Sequence, residues 1–145
     1  MRPSARTRSV PEAPLPTPRE RAPKVGTFEQ LISPFPMQVQ TLCMALRELV
    51  GRAVPAARET IFPGVRVAVF EAEGPLGFIE PRRDHARLYL TRGLELEDQD
   101  KLLQSGGKPF PYVKLWHLDT LQAPALRALL QSAEALNRSK PVSSG

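Results

Sequence analysis

The sequence predicts an α+β two-layer sandwich, with an antiparallel sheet of about five strands and N- and C-terminal helices on one face. Three observations lead there. Apolar residues recur at helical spacing between Val39 and Val50 and again between Leu126 and Leu136. Between those stretches lie five short runs with β-branched or aromatic content. The first of these runs are joined by connections so short that antiparallel neighbours are the economical arrangement.

The elements follow in order. Thr27-Phe28-Glu29-Gln30 has the spacing of a capping box, in which the threonine oxygen takes the Gln30 amide while the glutamine side chain reaches back, and a short helix to about Ser33 is expected. Pro34 and Pro36 interrupt it. Pro36 suits the first turn of a second helix, where a missing N–H removes no bond. The apolar stripe of that helix is Val39, Leu42, Cys43, Leu46, Leu49 and Val50, and Gly51 with Pro55 is expected to end it. Strands are expected over residues 59–62, 65–70, 76–80 and 85–91, with Pro63-Gly64 and Glu73-Gly74-Pro75 as turns, and a fifth over 111–116. Pro124 then opens a final helix striped by Leu126, Leu129, Leu130, Ala133 and Leu136.

The 145 residues fit one domain, and the net charge of +5 is unevenly placed. Residues 1–24 hold six basic residues against Glu12 and Glu20, a net +4, so the fourteen basic and thirteen acidic residues that remain leave only +1. The folded part is therefore nearly neutral and steers phosphates weakly. Six of the sixteen prolines also fall in residues 1–24, among Ser, Thr and Arg, which offers too little apolar surface to offset ordering entropy. The expected organisation is a disordered basic proline-rich arm over 1–26, a domain over 27–138 and a disordered tail over 139–145. The arm's cations are diluted by proline and lack aromatic neighbours, so any nucleic-acid contact through it is expected to be weak and salt-dependent.

No run reaches the ~20 apolar residues of a membrane span, or the roughly 7 to 15 of a signal core. No membrane association is expected. The single Cys43 permits no internal disulfide and suits a reducing compartment, so cytoplasm is the expected location.

Strand alternation gives the main candidate site. Ala86, Leu88 and Leu90 share one side of the fourth strand, and Val113 and Leu115 one side of the fifth. If these aliphatic sets face the helices, the outer side carries His85, Arg87, Tyr89, Tyr112, Lys114 and Trp116. Rings beside cations suit an aromatic or anionic small ligand, a partner's strand or single-stranded nucleic acid. The plainer expectation is an exposed sheet face stiffened by cross-strand aromatic pairs.

Other clusters carry less chemistry. Glu95, Glu97, Asp98 and Asp100 are the densest carboxylate group and the one credible metal site, although they lack EF-hand spacing and its central glycine. Their plainer role is to open a short helix through Leu102 and Leu103, where negative charge suits the N-terminal dipole. Ser105-Gly106-Gly107-Lys108 misses the phosphate-loop spacing, because no glycine stands at 102 and Pro109 replaces the required hydroxyl; a helix stop is expected there. Cys43, His85 and His117 are too few for a closed zinc site. Cys43 lies on the apolar stripe, the usual place of an inert core thiol.

Several of these segments also resemble one family. Residues 49–61, Leu-Val-Gly-Arg-Ala-Val-Pro-Ala-Ala-Arg-Glu-Thr-Ile, resemble the helix, proline and Glu-x-Ile strand entry of the YdhG-like domain family, a domain of unknown function. His85-Ala86-Arg87-Leu88-Tyr89-Leu90 is similar to its His-x-x-Leu-Tyr-Phe strand, with Leu90 for the last aromatic. Arg92-Gly93 with Leu96, Asp98 and Leu102-Leu103 resembles the turn after it, and Gly106-Gly107-Lys108 with Val113-Lys114-Leu115 the Gly-x-Gly-Lys element and next strand. The resemblance spans residues 27–137 and implies a frataxin-like two-layer sandwich. Some relatives are assigned iron-chaperone activity, which makes an iron carrier the alternative expectation, with iron as cargo. Frataxin-like iron binders place carboxylates along their first long helix, whereas residues 37–50 here offer only Glu48. Phe62-Pro63-Gly64-Val65 also stands where the family commonly has a Gly-Met-Pro turn. The leading expectation is thus a small non-enzymatic binding module with no cofactor, contacting its ligand through the aromatic and basic sheet face.

Overall fold

A computed structural model describes residues 24–105 and 109–142. Helix α1 spans Phe28–Ile32, and its start is the expected reciprocal cap: Gln30 N donates to Thr27 Oγ1 at 3.1 Å and Thr27 N to Gln30 Oε1 at 2.8 Å. Order extends slightly further back, since Gly26 N donates to the Ile61 carbonyl at 2.9 Å. Residues 1–23 of the expected arm lie outside the described residues. Helix α2 spans Met37–Ala53, with Pro36 in the capping position. It runs through Gly51, contrary to the expected stop, because that position is exposed and its Cα faces open space, with no packing that requires the chain to turn there. A glycine there weakens the helix by roughly 1 kcal/mol without ending it.

Five strands follow: β1 Arg58–Phe62, β2 Val67–Glu71, β3 Pro75–Pro81, β4 Ala86–Leu90 and β5 Tyr112–Leu115. They pair antiparallel in sequence order, β1-β2-β3-β4-β5, so the sheet is a meander. Pro63–Val65 forms one turn of 3-10 helix between β1 and β2, which delays the second strand to Val67. Helix α3 spans Ala123–Ser139, opened by Pro124 near its first position.

Both long helices lie on one face: α2 and α3 touch each other, and both touch β3. The fold is the α+β arrangement expected. Its core joins Val39, Leu42, Leu46 and Val50 of α2 to Leu126 and Leu130 of α3. From the sheet it takes Ile79, Ala86, Leu88, Leu90 and Leu115. Each large aliphatic side chain among them contributes about 1.5–3 kcal/mol when fully withdrawn from water. Cys43 is completely buried on this stripe, and burial pushes its thiol up to about 12.

One polar residue joins the layers from inside. Asn137 of α3 is 1% exposed, and its Nδ2 donates to the carbonyls of Pro75 at 2.8 Å and Ala72 at 3.2 Å. Arg92 Nη1 donates to Asn137 Oδ1 at 3.3 Å and also to the Lys140 carbonyl. Lys140, within the expected tail, is thereby held to the loop after β4. Both donors of the amide meet carbonyls that flank Gly74, whose φ of +126° shapes the β2–β3 turn.

Candidate binding site at the β4–β5 end of the sheet

Alternation sorts β4 and β5 as expected, with Ala86, Leu88, Leu90 and Leu115 in the core. The opposite side brings His85, Arg87, Tyr89, Tyr112, Lys114 and Trp116 together, but not as an open face. His85, Arg87, Tyr89 and Tyr112 are all buried, at 5–7% exposure. Lys114 is half-buried, and only Trp116, at 43%, is broadly exposed. The expected open face of six residues is corrected in this respect: four of them are buried, and Lys114 and Trp116 are the two left accessible.

The reason is that the outer residues pack on one another. Phe78 of β3, opposite Tyr89 in register, stacks on that ring at 4.5 Å and 14°. Phe110 meets Phe78 edge-on at 5.9 Å, and the rings of Tyr89 and Tyr112 lie 5.3 Å apart. Trp116 leans on the His85 ring at 4.3 Å. Such pairs are worth about 0.5–1.5 kcal/mol beyond the area they bury. Phe78 and Phe110 were not among the expected site residues; the signal for Phe78 was its place two residues before Glu80 on a strand paired with β4.

Hydrogen bonds satisfy the polar members. Arg87 Nε donates to His85 Nε2 at 3.1 Å, and His85 Nδ1 lies 2.8 Å from Asp84 Oδ1. A nitrogen that accepts from arginine carries no proton, so the neutral ring holds its hydrogen on Nδ1 and donates it to Asp84. That bond holds the Asp84 carboxyl below its ordinary value. On the other side, Arg87 Nη1 donates to Tyr89 Oη at 3.0 Å, and that hydroxyl donates to Glu80 Oε1 at 3.0 Å. Burial pushes the Tyr89 phenol up. Arg87 also lies 5.0 Å over the Tyr112 ring. Its charge is thus linked to Asp84 through an imidazole and to Glu80 through a phenol, a buried chain with each inner polar group engaged.

The acidic segment departs from expectation in a different way. Residues 93–95 form a single 3-10 turn, and no helix follows through Leu102 and Leu103. Instead Asp98 folds back, its Oδ1 accepting from Leu102 N at 2.9 Å and its Oδ2 from Leu103 N at 2.8 Å. Lys101 takes a left-handed φ of +53° to make that turn. Glu95 is held by Arg92 through two 2.8 Å bonds, which lower its carboxyl and raise the arginine. Glu97 and Asp100 line a small hollow of about 220 Å³ against α3. Among the described residues, no group of three or more acids, histidines or cysteines is placed to hold a metal. The Gly106-Gly107-Lys108 element lies outside the described residues.

Lys114 and Trp116 remain accessible because they border a hollow of about 500 Å³ beside β5. Leu102, Leu121 and Leu126 give it an apolar floor, and Lys101 and Gln104 stand at its rim. The Lys114 ammonium is 5.9 Å from the centre of the Trp116 ring. Volume and an apolar floor are common features of ligand sites, and about half of the residues around this hollow are polar or charged.

Fold and hollow together define a two-layer α+β domain with an accessible cation–ring pair at one sheet edge. No family model, curated protein or solved structure matches the chain. No helix among the described residues is long and apolar enough to cross a membrane.

Proposed function

We propose that the protein is a small non-enzymatic binding module whose ligand contacts lie at the hollow bordered by Lys114 and Trp116. The observation that carries this reading is the hollow itself, about 500 Å³ with an apolar floor and a lysine beside the sole tryptophan of the chain. The polar groups that resemble catalytic parts favour binding over chemistry. Both nitrogens of His85 are engaged, by Asp84 and Arg87, and burial pushes the Cys43 thiol up to about 12, so neither supplies a free base or a ready thiolate. The resemblance to the YdhG-like family and a cytoplasmic location belong to the same proposal. The iron-carrier alternative finds no support in the acidic segment, since Asp98 and Glu95 already serve local partners.

A screen of Trp116 emission against anionic metabolites, nucleotides, oligonucleotides and peptides tests the reading. The expected result is a saturable change that Lys114→Ala weakens by about tenfold, in line with the 1–2 kcal/mol of a desolvated charge or cation–ring contact. A flat response across all four classes overturns it.

A further inference from the structure

The hydrogen-bond phase of β5 leaves an open stretch of sheet edge next to this hollow. Leu90 N donates to the Pro111 carbonyl at 3.0 Å. Backbone groups on a strand alternate in direction, so Pro111, Val113 and Leu115 turn theirs toward β4, whereas Tyr112, Lys114 and Trp116 turn theirs away. Tyr112 is closed off by Gln104, which exchanges both bonds with it at 2.7 and 2.8 Å. At Lys114 that pairing has ended. Its N–H and C=O have no backbone partner among the described residues. The 500 Å³ hollow that Gln104 and Lys114 both line lies beside that open position.

We propose that this edge accepts an extended, acidic peptide segment of a partner protein as an added sixth strand, continuing the ladder where Gln104 leaves it. The idea rests on the binding-module reading and gives it a ligand class. In strand addition the main chain supplies affinity and alternate side chains enter pockets, which here means an apolar side chain over Leu102, Leu121 and Leu126. Charge selects the occupant. Lys101 and Lys114 border the hollow against the single carboxylate of Asp100, so an Asp or Glu on the incoming strand has a cation to meet. A second copy of this chain is disfavoured at the same place, because an antiparallel self-pair centred there sets Lys114 against Lys114, and an edge lysine is a known guard against self-pairing.

The test begins with random twelve-residue peptides displayed on phage and selected against the full chain, followed by synthesis of the most enriched peptide. Enriched sequences are expected to alternate apolar and acidic residues, and the synthetic peptide to change Trp116 emission saturably. N-methylation at alternate peptide amides should weaken binding at least tenfold, as should Lys114→Glu. Lys101→Glu, at an exposed position, supplies a second variant should Lys114→Glu perturb folding. Amide exchange at Lys114 should slow at least tenfold in the complex while that of Val113, already bonded to β4, stays unchanged. No enrichment, enrichment of basic or unpatterned peptides, indifference to N-methylation, or unchanged exchange at Lys114 each overturns strand addition. If small anions still change Trp116 emission in a Lys114-dependent way, the binding-module reading survives that failure; if nothing does, both fall.

Discussion

Arg87 Nε lies 3.1 Å from His85 Nε2, and this contact fixes the proton of a buried imidazole on its other nitrogen. The pair organises the outer side of β4. Glutamine can present an oxygen near the Nε2 position, so His85→Gln should keep the acceptor that Arg87 uses, whereas His85→Ala leaves a buried donor unpaired. The alanine variant is expected to lose about 1–3 kcal/mol, and the glutamine variant distinctly less. Urea unfolding of both decides this, and equal losses would show that ring packing rather than the hydrogen bond dominates. Nitrogen chemical shifts of the ring should report Nδ1–H as the neutral tautomer.

Asn137 fills both of its amide donors with the carbonyls of Ala72 and Pro75. Asn137→Leu strands those carbonyls, and about 1–3 kcal/mol of stability should be lost. Asn137→Asp should cost more, because a carboxylate then faces two carbonyl oxygens. Denaturant midpoints at neutral pH measure both.

Gly77 packs its α-carbon against β4 so closely that an added Cβ would stand 2.0 Å from the Tyr89 carbonyl oxygen. The obstacle is backbone and cannot rotate aside. Gly77→Ala should separate β3 from β4 and destabilise the fold by about 1–3 kcal/mol or more. Faster amide exchange on both strands, with α3 unaffected at first, is the expected signature.

Glu95 and Cys43 contribute to the pH dependence with opposite signs. Arg92 holds the Glu95 carboxyl below its ordinary 4.5, so the native state favours the ionised form; that stability is present above about pH 4.5 and is lost as pH falls through the lower folded value. Glu95→Gln should therefore narrow the gap to wild type on the acid side only. Cys43 is shifted the other way, from 9.0 to about 12, so the unfolded chain releases its proton first. Its contribution is complete below pH 9 and declines as pH rises toward 12. Cys43→Ala should reduce the alkaline decline and leave the part that the raised Tyr89 phenol contributes, and the native thiol should resist a disulfide reagent at pH 8 until urea unfolds the chain.

How much of this was legible in the sequence depended on whether a signal was periodic. The stripe from Val39 to Val50 and the alternation of Ala86, Leu88 and Leu90 placed the helices and the inner sheet face, because period alone says which side is apolar. Period cannot say whether the other side is wet. Arg87 and Tyr89 look solvent-facing by type, and became buried because His85, Glu80 and Phe78 arrive from neighbouring positions to satisfy and stack on them. The acidic stretch misled for a related reason: Asp98 can cap amides without a helix behind it, and its side chain binding Leu102 and Leu103 won over the dipole pattern. Asn137 gave no signal, since one amide on an otherwise ordinary helix looks like surface.

Every strand of the sheet pairs with the one before it in the chain. Assembly can then proceed one hairpin at a time, without a late arrival having to insert between strands already joined. Local wiring of this kind keeps loop-closure entropy low and folding fast for a β-containing domain. It also means that β5, last in line and held on its outer side only by the Gln104–Tyr112 bridge, can be released without parting two other strands.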